Sequence, residues 1–357
     1  MCMAAANISV KDPDGNIRSH GRGGLGAVMG SKKIKYIAID DDGGPGIQIA
    51  DKDKFKKASV PFAKALVKHP VSGESLKLYG TNVLVNILNE SGGLPTRNFR
   101  EGQFAGANKI SGETLRDTII SRKGKPHHGC HAGCIIQCSQ VYNDKDGNYV
   151  TSGLEYETIW GLGAHCCIDD LDIIAEADHI MDDIGIDSIE TVVAMGVAME
   201  AGIIPFGDGP GALRLLKEIG AGTPLGRTIG AGAGAVGRAN GITRVPVVKN
   251  QGLSAYDPRS VKGMGITYAT STMGSDHTAG YCIPVNILKV GGFVDPLKKD
   301  GQIELSRRLQ IGTAYLDSTG LCVFVAFAAL DNPAVASLLA DMLNAKDGLN
   351  KTAEEWR

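Results

Sequence analysis

Charge of one sign is missing from this sequence: 37 basic residues against 39 acidic leave a net charge of −2. Nothing in that balance predicts nucleic acid or an anionic membrane surface as a partner. Long apolar runs are missing too. None approaches the roughly 18 residues a spanning helix needs, so no membrane segment is expected. The opening MCMAAANISV lacks a basic stretch followed by an apolar one, which argues against a secretory signal. Aromatics make up only 5% of the chain, so aliphatic side chains must build most of its core. Eight cysteines in 357 residues are too few for a disulfide scaffold. What remains is a globular protein of a reducing compartment, expected in the cytoplasm and long enough for two or three domains.

The cysteines are few, but three of them are clustered. Cys130, Cys134 and Cys138 fall within HHGCHAGCIIQCS, and Cys322 lies far along the chain in LDSTGLCVF. A tight trio plus one distant thiolate matches the ligand set of a [4Fe–4S] cluster. Two other readings fit the spacing. Zinc takes three or four cysteines equally well, with His127, His128 and His131 at hand. Three small core residues at i, i+4 and i+8 of a helix would look the same, although Pro126, Gly129 and Gly133 argue against an ordinary helix there. Cys166, Cys167 and Cys282 have no comparable context and read as buried, inert thiols.

Along the chain, a polar turn and a glycine loop come first. A short β-rich stretch, KKIKYIAID, then ends near Asp40, where DDDGGPG marks a boundary. Helical periodicity follows in KDKFKKASVPFAKALVKHP, LYGTNVLVNILNESGG and GETLRDTIISRKG. LDIIAEADHIMDD predicts a helix broken by GID. A second helix should run through IETVVAMGVAMEAG, capped by Asp187 or Ser188 and stopped at Gly202, with Ile189, Val192, Val193 and Gly196 on one face. QIELSRRLQIGTAYL and NPAVASLLADMLNAKDG read as later helices. The expected fold class is mainly α, with divisions at 1–40, 41–245 and 246–357. Of two G-x-G-x-x-G patterns, Gly21/Gly23/Gly26 is preceded by polar turn residues and followed by the strand-like KKIKYIAI, and Gly232/Gly234/Gly237 follows TPLGRTI with no convincing strand, so both are weak as nucleotide sites.

Together, GRGGLGAVMGSKK, the cysteine trio, GLEYETIWGLGAH, DDIGID and LDSTGLC resemble, in the same order, the aldehyde:ferredoxin oxidoreductases, enzymes with a tungsten or molybdenum bispterin cofactor. The resemblance implies the multi-helical second and third domains of that fold, with a short β remnant of the first. It makes Cys130, Cys134, Cys138 and Cys322 the cluster ligands. Asp182, Gly185, Ile186 and Asp187 match the family's first pterin loop, with Ile in place of Leu. Asp317, Gly320, Leu321 and Cys322 match the second. Gly21, Arg22, Gly23 and Gly24 are implied to meet pterin phosphate or Mg²⁺. Glu157 and His277 match the residues near the metal, with Glu155 as a weaker alternative and Asp276 able to orient His277.

The implied activity is oxidation of an aldehyde-like substrate to the carboxylic acid, with electrons leaving through the cluster to ferredoxin or a similar carrier. Glu176 and His179 form an E-x-x-H pair on one helix face; in the family's archetype such a pair binds a metal at a dimer interface, which allows a homodimer, and the alternative is an exposed face with an ordinary charge pair. The C-x3-C-x3-C spacing departs from the usual C-x2-C-x3-C and points to a divergent branch. The chain is expected to be a fragment, short at both ends relative to full-length members. The alternative is an iron–sulfur electron-transfer subunit or inactive remnant without pterin.

Overall fold

The computed structural model describes residues 5–356. Among the described residues helices dominate, and the three sheets are small and antiparallel. The first sheet is a hairpin, Ile8–Lys11 with Ile17–His20, whose turn is organised by Asp12. The Asp12 carboxylate accepts from the backbone N–H groups of Asp14 and Asn16 and from Arg18 and His128. A second sheet joins Lys125–His128, Ser139–Asn143 and Tyr149–Ser152. The cysteine trio occupies the connection between its first two strands, which is why the trio is not a helix.

The main core forms around the helix Ser188–Glu200. Asp187 caps it, its carboxylate accepting from the N–H groups of Ile189 and Glu190, and Gly202 beyond its end is left-handed at φ 76°. Every residue from Ile189 to Met199 is buried, so this helix is apolar on all sides instead of on one face. The preceding helix, Leu171–Ile184, ends as expected at Gly185. The helices Lys52–Lys68, Gly112–Ser121, Gln302–Ser318 and Pro333–Asp347 also form where the periodicity places them.

A second core joins an early helix to a late one. Phe62 and Leu66 from Lys52–Lys68 pack with Val335 and Leu339 from Pro333–Asp347, and Cys134, Cys138 and Leu321 lie against this cluster.

Three expectations are corrected. The stretch 33–40 is not a strand. Tyr36, Ile37 and Ile39 are largely exposed, and no described segment pairs with their backbone; a lone extended segment has nothing to satisfy its N–H and C=O groups except water. The stretch LYGTNVLVNILNESGG, residues 78–93, does not form one helix. Gly80, at φ 63°, divides Leu76–Tyr79 from Leu84–Glu90. An added Cβ at Gly80 would meet the Gln140 side chain and lie 2.7 Å from the Cys138 carbonyl, so close packing on the cysteine strand dictates the break. Finally, the first G-x-G-x-x-G does follow a strand and open a helix, Leu25–Ser31. That helix has seven residues, and the strand belongs to an antiparallel hairpin, so the parallel βαβ context is still lacking.

Candidate active site

The two Asp-x-x-Gly loops are built alike. Asp182 lies in the last turn of Leu171–Ile184 and Asp317 in the last turn of Gln302–Ser318. Gly185 and Gly320 then turn the chain at φ 77° and 75°, in the left-handed region that favours glycine. Ile186 enters the main core and Leu321 packs on the second. The last motif residue caps the next helical turn. Asp187 does so with its carboxylate, and the Cys322 sulfur accepts from the Phe324 N–H at 3.5 Å to cap the 3₁₀ turn Val323–Val325. The variable position of the motif is therefore a helix N-cap, which both Asp and Cys can serve.

The carboxylates of Asp182 and Asp317 accept no hydrogen bond from any described residue, although their backbone carbonyls accept from Gly185 and Gly320. Burial pushes Asp182 up to about 6, against the lowering influence of Arg18 and His179. Burial and the nearby Asp276 also raise Asp317. Carboxylates without partners at two equivalent turns suit ring N–H and amino donors of a bound heterocycle. Asp187 differs, because its oxygens already accept from two backbone N–H groups and from Arg22 Nε at 2.9 Å. The N-terminal segment crosses this first loop. The Asn7 N–H donates to the Gly185 carbonyl at 3.0 Å, and Ala6 bridges Ile186. Arg22 is anchored beside it, 8% exposed, while Gly21 and Gly23 face solvent and Gly24 is half-buried.

Two of the four thiols meet directly, and the other two lie near enough to act on them. The sulfurs of Cys130 and Cys134 and a ring nitrogen of His131 lie within 4.8 Å of one another. Cys138 and Cys322 stand outside that compact group, yet both raise the pKa of Cys130 through space. The contact between Cys130 and Cys134 lowers Cys134 to about 5 and raises Cys130. Burial raises Cys138 and Cys322. The Gln137 N–H donates to the Cys134 sulfur at 3.4 Å, as Phe324 does at Cys322. Gln137 (φ 55°) and Gly133 (φ 77°) supply the irregular backbone that turns the sulfurs to one side. Of the other histidines, His128 is engaged with Asp12 and His127 is exposed. Cys166 and Cys282 are fully buried and Cys167 partly so.

Glu157 and His277 meet although they lie far apart in sequence. The Glu157 Oε2 accepts from the Ala255 N–H at 3.0 Å; Oε1 has no hydrogen-bond partner and sits 3.5 Å from His277 Nε2. Burial pushes Glu157 up to about 8 and His277 down to about 4. Near neutral pH both are therefore uncharged, a carboxylic acid beside a bare imidazole. Asp276 does not orient His277 directly, because its carboxylate bonds the N–H and hydroxyl of Thr278. Ser254, for which the sequence holds no signal, bonds His277 Nδ1 at 3.0 Å instead.

Glu157 and His277 open onto a cavity of about 220 Å³. Its other walls are largely apolar, including Leu84, Leu288, Phe324 and Phe327, with Tyr256 and Tyr281 beside the histidine and no Lys or Arg. Val323 and Phe324 carry the wall directly from Cys322. Glu155 also lines it, with the Thr81 hydroxyl donating to it at 2.7 Å, and it lies near enough to Cys138 and Cys322 to raise both thiols.

Residues 57–357 match the family model described as aldehyde ferredoxin oxidoreductase, domains 2 and 3, and residues 1–41 match its N-terminal domain. The chain belongs to the aldehyde ferredoxin oxidoreductase family. It is 37% identical to the tungsten-containing aldehyde ferredoxin oxidoreductases of Pyrococcus furiosus and Thermococcus kodakarensis, over 95% of this chain and 56% of each relative. A more distant relative is the WOR-like subunit of an aliphatic sulfonate oxidoreductase from Pyrococcus furiosus, 26% identical over 94% of this chain and 52% of its own length. The chain thus spans about half the length of these relatives. Within the family frame, Glu176 and His179 share an exposed face of Leu171–Ile184, where Glu176 approaches Lys217 at 3.7 Å. Among the described residues, no single helix is long and apolar enough to cross a membrane.

Proposed function

We propose that this chain carries the electron relay and proton-handling pair of a tungsten or molybdenum bispterin oxidoreductase, which oxidises an uncharged aldehyde to the carboxylic acid and passes electrons to ferredoxin or a similar carrier. The observation that carries this reading is the cavity: Glu157 and His277 line it side by side, Glu157 Oε1 has no hydrogen-bond partner and lies 3.5 Å from His277 Nε2, and the wall continues into the Cys322 turn. Oxidation of an aldehyde takes up one water and releases two protons and two electrons. The Glu157 carboxylate accepts a proton from water, and His277 Nε2–H donates to the carbonyl oxygen. The largely apolar, cation-free walls select against anionic substrates, and Phe324 and Phe327 set the depth available to the apolar end.

In this reading Cys130, Cys134, Cys138 and Cys322 hold a [4Fe–4S] cluster. Asp182 and Asp317 accept from the two pterins, and Gly185, Ile186, Gly320 and Leu321 shape those loops. When bound, the metal–bispterin centre supplies the two-electron acceptor and the cluster a one-electron path out. Backbone groups of Gly21, Gly23 and Gly24 are accessible to phosphate or Mg²⁺. Arg22 and Asp187 act mainly on each other, fixing the loop between them.

The decisive experiment is anaerobic purification followed by iron, sulfide, tungsten, molybdenum and pterin analysis. Iron and sulfide near four per chain together with pterin support the proposal. Iron without pterin favours an electron-transfer role. A colourless chain containing only zinc, which the compact Cys130–His131–Cys134 group can bind, would overturn it.

A further inference from the structure

We propose that Arg22 is a positioning residue that fixes the tautomer of His277 through Ser254, so that the imidazole presents Nε2–H to Glu157 and the cavity. This rests on the role of His277 given above. The Arg22 side chain arrives from the glycine loop of the N-terminal segment and is enclosed by distant parts of the chain. Its Nε donates to Asp187 Oδ2 at 2.9 Å. Nη1 donates to the Ser275 carbonyl at 2.8 Å and to Ser254 Oγ at 3.3 Å. Nη2 donates to the Gly252 carbonyl at 2.9 Å and to Glu190 Oε2 at 3.4 Å. With two carboxylates flanking it, the guanidinium stays charged despite its burial.

A guanidinium only donates, so Ser254 Oγ is the acceptor in its bond with Arg22. The single Ser254 hydrogen must then go elsewhere. The Ser275 carbonyl is 3.4 Å away and already takes the shorter bond from Arg22. Tyr268, whose hydroxyl also lies against Ser254, donates its own hydrogen to the Tyr256 carbonyl, and a phenol oxygen is a weaker acceptor than an imidazole nitrogen. His277 Nδ1, at 3.0 Å, is the best remaining acceptor. It must therefore be bare, and in a neutral imidazole the one proton then sits on Nε2. Nε2 is the nitrogen 3.5 Å from Glu157. With Ser254 freed from Arg22, its oxygen could accept from Nδ1–H instead, leaving Nε2 without a proton to donate.

The test uses the full chain without cofactor or substrate, labelled with ¹⁵N-histidine, and long-range ¹H–¹⁵N correlation spectra. The His277 signals are assigned by their loss in His277→Asn. The expected wild-type pattern is a bare Nδ1 and a protonated Nε2. In Ser254→Ala, which keeps the four other Arg22 contacts, that pattern should give way to a tautomer mixture, and Ser254→Thr should restore it. A protonated Nδ1 in the wild type, or an unchanged pattern in Ser254→Ala, overturns the proposal. Because no turnover is needed, failure of the aldehyde-oxidation reading leaves this result intact. In the loaded enzyme, Ser254→Ala is expected to lower kcat about tenfold or more with KM little changed.

Discussion

Glu157 carries the sharpest residue-scale consequences. Its carboxyl, raised to about 8 by burial, is protonated at neutral pH, so the proton-accepting form grows as pH rises. kcat/KM should therefore climb about tenfold per pH unit below roughly pH 8 and then level off. A flat profile between about pH 6 and 8 would remove Glu157 as the base. Glu157→Gln should cost on the order of 10²- to 10⁴-fold in kcat. The same shift affects stability. A carboxyl whose folded-state pKa is raised contributes fully below its unfolded value, and that contribution is lost as pH rises toward the folded one. Relative to Glu157→Gln, the wild type should lose about 1 kcal/mol per pH unit between about pH 4.5 and 8. Denaturant titrations of the cofactor-free pair at several pH values measure that difference. The sequence marked Glu157 and His277 only through their family motifs. Ser254 was illegible, because a serine becomes a histidine's partner only when two remote loops are packed together.

At the scale of elements, the two Asp-x-x-Gly loops are one design used twice. Because the final motif residue is an N-cap, Cys322→Asn, a neutral amide that caps well but ligates iron poorly, should retain the cap while losing a cluster ligand. The metal-free variant is expected to unfold within about 0.5 kcal/mol of wild type, yet to bind less iron on reconstitution. Retention of a full four-iron cluster would break the four-ligand assignment. Gly320 and Gly185 separate backbone strain from packing. Gly320→Ala meets no neighbour and should cost only the left-handed penalty, about 1–2 kcal/mol. Gly185→Ala adds contact with Ser9 and Asn7, so it should cost more and loosen the N-terminal segment. Urea midpoints and protection of the Asn7 amide from hydrogen exchange distinguish the two. Helices such as Leu171–Ile184 and Gln302–Ser318 were legible because their apolar spacing and stops are local. The interruption at Gly80 was not, because it answers to the cysteine strand rather than to its own neighbours.

Over the whole molecule, the cysteine loop packs on a core shared by the helices Lys52–Lys68 and Pro333–Asp347. Leu339 is 6% exposed in that core, far in sequence from Cys134 and Cys138, which pack on the same cluster. Leu339→Ala should destabilise the chain by about 2–5 kcal/mol. It should also speed cluster loss under chelator, monitored by the decay of visible absorption. A comparable loss of stability with unchanged cluster lifetime would mean that this core and the cysteine loop are not coupled.

The sequence alone determined the family, the mainly helical class, the four candidate sulfur ligands and the ends of the strongly periodic helices. These rest on local spacing and on motifs in a fixed order. Only the tertiary structure decided that Arg22 lies between Asp187 and Glu190, that Ser254 holds His277, and that the 33–40 stretch forms no strand. Each of these depends on which buried donors and acceptors are brought within reach of one another, and that is decided by packing between remote segments.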